Sequence, residues 1–378
     1  MHFIALCGLA ISAFALCGAC YSVMAAVFVA RFRDKAQPAA TYPAVTILKP
    51  LYGDEPGLDD NLASFCAQDY PAPVQIVFGV HAAADPTVAT VERLRARYPA
   101  LDIMLVADPR RHGANGKVSN LINMLPVARH DVLVISDSDI LAPPDYLRTV
   151  IAALEQPGVG MVSCLYSGAA LGGFAARLSA MGIDYQFLPN VLTGMALGMA
   201  SPCFGSTMAL HRGVLHGIGG FEAFSAVLAD DYEIGRAVRA RGLGVVIPRL
   251  VVRHTSNEKT IGEWLAHELR WARTIRGADP VGHAGSVVTY PIPLALLGAI
   301  LSWFTVFSLA TLITALAART LLKGRIDRFV GDGAGPLWLL PVRDVLSFGV
   351  FLASLFGGSV EWRGERLLVK KRGALSRF

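Results

Sequence analysis

Asp137 and Asp139 stand one residue apart at the end of the apolar run Val132 to Ser136. A β-branched run of that length reads as a buried parallel strand, and the carboxyl end of such a strand is where an open α/β sheet keeps its ligands. At this spacing on extended chain, two carboxylates can face one hard cation. Its remaining oxygens would come from a substrate diphosphate, as Mg²⁺ or Mn²⁺ prefers. An acidic pair after a strand also serves as a helix cap or a turn, so its meaning depends on its neighbours.

Those neighbours carry chemistry of their own. Lys49-Pro50-Leu51-Tyr52-Gly53 reads as a tight turn leaving the first strand, and Asp85 follows the second. His112-Gly113-Ala114-Asn115-Gly116-Lys117 is a glycine-containing loop opening a helix. Its backbone N–H groups and lysine charge suit a phosphate; a solvated helix start is the plainer alternative. Gly219-Gly220-Phe221 precedes Asp230-Asp231-Tyr232-Glu233, whose acids would serve equally as the first turn of a helix. His267-Glu268-Leu269-Arg270-Trp271 follows.

The elements that must position these residues alternate. Short apolar runs at 45–48, 74–80, 103–106 and 132–136 are strands, and helical patterns lie between them at 58–65, 86–98 and 117–128. That order implies β-α-β units, hence an α/β, Rossmann-like domain with a mostly parallel sheet. There is no internal repeat and no low-complexity segment.

At 378 residues, 53% hydrophobic and 17% charged, with mean hydropathy +0.47, the chain is more apolar than an ordinary soluble enzyme, yet its middle has normal polarity. Phe3 to Ala30 carries no charge and exceeds the ~20 residues that cross a bilayer. With no basic region before it, it reads as an uncleaved anchor. Arg31, Arg33 and Lys35 follow, which puts the next domain in the cytosol by the positive-inside rule. A second uncharged region, Val287 to Ala318, contains Pro291 and Pro293 and reads as one long tilted helix or a tight re-entrant pair; a third runs from Val345 to Val360. If both crossed singly, Arg319, Lys323, Arg325 and Arg328 would lie outside against the charge rule, whereas Arg363, Arg366, Lys370, Lys371 and Arg372 would lie inside. A re-entrant arrangement removes the conflict. The domains expected are an anchor at 1–35, an α/β domain at 36–285 and a membrane region with a basic tail at 286–378. Ile261, Trp264, Leu265, Leu269 and Ala272 form a stripe suited to a helix on the membrane surface or on the domain core.

Cys7, Cys17 and Cys20 fall in the first apolar segment, and Cys66, Cys164 and Cys203 are scattered. Neither disulfides nor zinc follow from that spacing. The net charge of +5 is spread along the chain without the basic and aromatic interleaving of a nucleic-acid site, so no nucleic-acid partner is expected.

Taken together the motifs resemble those of inverting family 2-like glycosyltransferases with a GT-A fold, in the branch of ceramide glucosyltransferase (family 21). The matching residues are Asp85, Asp137 and Asp139, Gly219-Gly220-Phe221 with Asp230-Asp231-Tyr232, and Arg270-Trp271 closing a (Gln/Arg)-x-x-Arg-Trp element. Closest in pattern are bacterial hopanoid-biosynthesis glycosyltransferases, similar in the single N-terminal anchor, in His-Glu-Leu-Arg-Trp-Ala-Arg, and in Val360, Trp362, Arg363 and Gly364. The resemblance implies transfer from a UDP-sugar to a membrane lipid hydroxyl, N-acetylglucosamine onto a hopanoid polyol, by a multi-pass protein of the cytoplasmic membrane. It implies Asp231 as general base and Asp139 with Asp137 as ligands of Mg²⁺ or Mn²⁺. Lys49, Pro50, Leu51, Asp85, Lys117, Asp137 and Asp230 would lie at the donor. Arg270 would stabilise the leaving diphosphate and Trp271 would wall the donor or acceptor. Two positions depart from the pattern: Asp230 replaces a Glu, conserving charge, and His267 replaces the Gln or Arg, so no role is carried over to it and it reads as a structural helical histidine. A ceramide (sphingolipid) glucosyltransferase is the alternative. A processive polysaccharide synthase would need more membrane helices, and a non-catalytic scaffold would not need Asp137, Asp139 and Asp231 intact.

Overall fold

The computed structural model describes residues 2–32, 39–357, 359–362, 365–369 and 375–377. In chain order come α1 (His2–Arg31), β1 (Val45–Pro50), α2 (Leu58–Cys66), β2 (Val74–Val80), α3 (Thr87–Arg97), β3 (Asp102–Ala107), α4 (Gly116–Met124), β4 (Val132–Ile135) and β5 (Ile140–Leu141). Then follow α5 (Tyr146–Leu154), β6 (Val159–Ser163), β7 (Leu165–Ala170), α6 (Phe174–Gly182), α7 (Leu188–Ala196), β8 (Met208–His211), α8 (Arg212–Gly217), α9 (Asp230–Ala240), β9 (Gly244–Val246) and β10 (Val251–Ser256). The last are α10 (Ile261–Ala278), α11 (Pro280–Gly285), α12 (Pro291–Leu301), α13 (Val306–Val330), α14 (Leu340–Ser354), β11 (Ser359–Trp362), β12 (Glu365–Val369) and β13 (Leu375–Arg377). By packing, the chain divides into two units. One comprises Met1–Phe32, Ser167–Ala200 and Glu258–Arg372; the other comprises Arg33–Tyr166, Ser201–Asn257 and Gly373–Phe378.

The second unit is built on a seven-stranded sheet of order β3-β2-β1-β4-β8-β6-β9. Its strands β3, β2, β1 and β4 are parallel, while β8 runs antiparallel to β4 and β6. β1, β2 and β4 are mostly apolar and buried along nearly their whole length because both faces are covered. Strand order reverses between β1 and β4, and at such a switch point the carboxyl ends of neighbouring strands open a crevice. β5 pairs antiparallel with β10.

The first unit is helical. Three of its helices are long and apolar enough to cross a membrane: His2–Arg31, Val306–Val330 and Leu337–Ser354, the last being α14 with the turn before it. Pro280–Thr289 and Pro291–Leu301 form a further pair, bent by 64°. The region 287–318 is therefore not one tilted helix: α12 runs toward the N-terminal end of α1 and α13 returns. The break falls at Trp303 and Phe304, both left-handed with φ 56° and 55°. Close backbone approach sets the α1–α12 contact, since a Cβ on Gly8 would meet Leu301 C at 2.8 Å and one on Gly18 would meet Pro291 Cα at 3.3 Å.

Arg319 and Lys323 are not loop residues. α13 continues through them to Val330, and buried Arg319 makes two 2.7 Å bonds to Asp344 on α14 and donates to the Tyr185 carbonyl at 2.9 Å. Tyr185 lies in a π-helical turn, Ile183–Phe187, between α6 and α7; such turns leave carbonyls in need of outside donors. α14 starts at Leu340, before the apolar run 345–360, and that run ends in β11, paired antiparallel with β12. Val360, Trp362 and Arg366 lie in these strands. Arg33, Lys35, Arg363, Gly364, Lys370, Lys371 and Arg372 lie outside the described residues.

α10 is closed at its start by Thr260, which accepts from Glu263 N at 3.1 Å while the Glu263 carboxylate accepts from Lys259 N at 2.7 Å. Of its apolar stripe only Trp264 is buried; Ile261 and Leu265 stay exposed, as a helix at a membrane surface would leave them.

Candidate functional site

The switch point of the sheet gathers six charged side chains from four elements. β1 ends in Lys49, whose side chain is fully buried with its ammonium 3.7 Å above the Phe65 ring. It donates to the Asp137 carbonyl at 2.5 Å and to Ser136 Oγ at 3.3 Å, so it ties the end of β1 to the turn after β4. Burial pushes this amine down to about 7, against the opposing pull of Asp139 and Asp137. Pro50 and Leu51 are buried too. Of the Lys49-Pro50-Leu51 run expected at the donor, Lys49 thus braces the acidic turn.

α4 starts on Asn115, whose Oδ1 caps Val118 N at 3.1 Å while its Nδ2 donates to Asp230 at 3.2 Å and to the Val227 carbonyl at 2.8 Å. Within the loop expected to cradle phosphate, Asn115 N donates to the Ser225 carbonyl, and His81 Nε2 sits 2.8 Å from the Gly116 carbonyl. Lys117 Nζ lies 2.6 Å from Asp137 Oδ1 and 3.8 Å from Asp230 Oδ2. Burial alone would lower this lysine; Asp137, Asp230 and Asp231 overcome it and raise it, so it remains charged. Gly205 borders this pair because a Cβ there would lie 2.7 Å from Lys117 Nζ and 2.8 Å from Asp137 Oδ2.

Asp139 is held from the other side. Its Oδ2 is 3.2 Å from His254 Nε2, which the pairing of Ile140 with His254 brings alongside, and its carbonyl accepts from Thr255 N at 2.8 Å. Burial works to raise this carboxyl, but His254 and then Lys49 and Lys117 hold it at about 2. Its Oδ1 is buried without a hydrogen-bond partner. A hard cation fits there: an ionised carboxylate with one unsatisfied oxygen, next to a second carboxylate, supplies the one or two protein oxygens that Mg²⁺ takes beside substrate phosphates. Among the described residues no group of three or more His, Cys, Asp or Glu side chains forms a self-sufficient metal cage.

α9 opens with Asp230 and Asp231, placed where negative charge favours a helix start. Asp231 Oδ2 accepts from Gly205 N and its Oδ1 from Tyr232 N, both at 2.8 Å. Burial, and then the neighbouring Asp230, raise Asp231 to about 6.

Asp85 stands outside this cluster: it accepts from Thr87 N and Oγ1 and, at 3.2 Å, from Gly53 N, steadying the turn after β1. Arg270 and Trp271 belong to the helical unit, on α10. There Trp271 meets His267 edge-on at 4.7 Å between ring centres and lies 6.4 Å from Phe187. His267 is itself bonded through Nδ1 to Glu258, whose Oε1 also accepts from Ser179 Oγ at 2.9 Å. Motif reading missed His254, Gly205 and Glu258, and took Asn115 only as part of its loop. The signal for His254 lay in the alternation of β10, which sends its side chain toward the turn after β4.

Three comparisons bear on this arrangement. A mannosyltransferase from Pyrobaculum calidifontis, solved with GDP-Man and Mn²⁺, superposes with a TM-score of 0.56 at 21% identity, covering 93% of this chain and 99% of that one. The fold is therefore GT-A-like, with a mostly parallel sheet and apolar helices toward both ends. Ceramide glucosyltransferase 1 of Caenorhabditis elegans is 26% identical over 244 residues, 64% of this chain and 52% of that protein. Beta-monoglucosyldiacylglycerol synthase of Synechocystis sp. is 29% identical over 121 residues, 32% of this chain and 24% of that one. The chain spans about half the length, or less, of these curated relatives. The profile of glycosyl transferase family 21 matches residues 10–375, nearly the whole chain, and the protein belongs to that family.

Proposed function

We propose that this protein transfers a sugar from a UDP-sugar to a hydroxyl of a membrane lipid in one in-line displacement, inverting the anomeric carbon. In this reading the sugar is N-acetylglucosamine and the acceptor a hopanoid polyol such as bacteriohopanetetrol. The observation that carries the chemistry is the convergence of Asp137, Asp139, Asp230 and Asp231 about Lys117 at the switch point, within a family 21 chain. The apolar helices support a lipid acceptor.

Asp231 removes the proton of the attacking hydroxyl. With a pKa near 6 it is ionised at neutral pH yet a stronger base than an ordinary carboxylate. The Gly205 and Tyr232 N–H groups fix its orientation. Asp139, with Asp137, would hold a divalent cation, whose contribution when bound is to neutralise the diphosphate leaving group. Lys117 keeps the carboxylates from repelling one another, and Lys49 and His254 hold the turn that carries them. By the family resemblance Arg270 is assigned to leaving-group charge and Trp271 to a wall of the donor or acceptor.

A second reading is favoured by the similarity to ceramide glucosyltransferase: glucose onto ceramide. The test incubates full-length protein in membranes with radiolabelled UDP-N-acetylglucosamine or UDP-glucose and added bacteriohopanetetrol, ceramide or diacylglycerol. Label from UDP-N-acetylglucosamine should enter the hopanoid fraction. Label only in glucosylceramide would establish the second reading, and label in no lipid would remove both.

A further inference from the structure

Within the helical unit, α10 is gripped by one arginine of α14. Arg343, 3% exposed, sets Nη2 at 3.0 Å from both oxygens of Glu268 on α10 and donates through Nε to the Leu178 carbonyl of α6 at 2.7 Å. Its guanidinium carbon lies 5.7 Å from the centre of the Trp264 ring, also on α10. Space for the pair is reserved by the absence of a side chain: a Cβ on Gly182, the last residue of α6, would land on Arg343 Nη2 and 3.0 Å from Glu268 Oε1. The next residue of α14, Asp344, is bound to Arg319 of α13. Consecutive residues of one apolar helix therefore tie it to α10 and to α13. Near the C-terminal end of α10, Arg276 donates to the carbonyls of Ser354, the last residue of α14, and of Gly357, so α10 is fastened to α14 at its middle and near its C-terminal end.

We propose that the Glu268–Arg343 pair is a positioning device that fixes the rotation of α10 on α14, and through it the placement of Arg270 and Trp271 two and three residues beyond Glu268. A buried ion pair adds little stability over apolar residues of the same volume, whereas its directional bonds admit one register. Only a planar guanidinium serves here, because one side chain must meet a carboxylate, a carbonyl and a ring face together. The inference rests on the reading that α10 takes part in sugar transfer.

The test compares the full chain, reconstituted in lipid nanodiscs, with the apolar double variant Glu268→Leu/Arg343→Met. Both carry spin labels on cysteines replacing the exposed Leu265 of α10 and Leu346 of α14, with the six native cysteines removed. If the pair positions α10, the double variant melts with its parent while the inter-label distance distribution broadens. Transfer kcat then falls by about 10²-fold, the scale of a 1 Å misplacement. An unbroadened distribution overturns the proposal, as does a broadened one with undiminished kcat. If the parent transfers sugar to no lipid, the proposed function fails by itself, and the label distances still decide whether the pair fixes the helix.

Discussion

Asp231 and Asp139 are both half-buried acidic residues of one crevice, yet their surroundings drive them apart: about 6 for Asp231 and about 2 for Asp139. That divergence separates a proton acceptor from a permanent anion. Asp231→Asn keeps the size but can accept only one of the two N–H bonds from Gly205 and Tyr232; UDP-sugar affinity should survive while kcat drops by about 10²- to 10⁴-fold. Because a raised carboxyl pKa means the base is protonated below it, wild-type kcat/KM should fall about tenfold per pH unit below about 6. A flat profile between pH 4 and pH 7 would place the base elsewhere. Asp139→Ala should lose donor binding and turnover together, and EDTA should abolish transfer until Mn²⁺ or Mg²⁺ is restored; full activity of the variant would remove it from the donor site. The carboxylates were legible in the sequence because their chemistry needs acids at strand and helix ends. Lys49 was legible as a residue but not as a buried strut, since a lysine after a strand carries no mark of which way its amine turns. His254 and Gly205 carried no motif at all: their places come from strand pairing and chain crossing.

At the scale of elements, the parallel half of the sheet was readable because strands buried on both faces must be continuous apolar runs. The helical hairpin was readable only as one of two alternatives, and the position of its turn not at all. Its turn uses Trp303 and Phe304 in the left-handed region, where glycine or asparagine is the usual signal. The start of α14 was hidden by Arg343 and Asp344, charges that look like a helix boundary until their buried partners are known. The α1–α12 contact makes a prediction opposite in sign to helix propensity. Gly298→Ala on an open helix face would stabilise by up to about 1 kcal/mol. Here the new Cβ would stand 2.9 Å from Gly8 O and 2.9 Å from Ser12 N, both rigid backbone of α1. The variant should therefore be destabilised, by about 1–3 kcal/mol, with a lower thermal midpoint in detergent. A raised midpoint would mean that α1 and α12 do not touch there.

For the molecule as a whole the question is which side of the membrane the chemistry occupies. α1 and α13 run in the same direction, because Ser302, just before α13, lies against Gly8 near the start of α1, and Arg31 and Arg325 border one groove at the other end. The about 20 residues from Thr305 to Arg325 rise about 30 Å, one hydrocarbon thickness. The basic end of α13 thus shares a side with Arg31, the residue from which the chain passes toward β1. The clash that single crossings create with the charge rule disappears, and every described basic residue of α13 lies toward that same end. We propose by that rule that this side is cytosolic, where UDP-sugars are made. Ala107, exposed at the carboxyl end of β3, reports one side, and Trp303, 68% exposed at the hairpin turn, reports the other. In a background without native cysteines, Trp303→Cys should react with a membrane-impermeant thiol reagent in intact cells, whereas Ala107→Cys should react only after permeabilisation. Reaction at both positions in intact cells would mean that α12 and α13 do not span. The reverse pattern would invert the protein and leave the crevice at Asp137 and Asp139 without its donor, a deeper failure than a wrong acceptor.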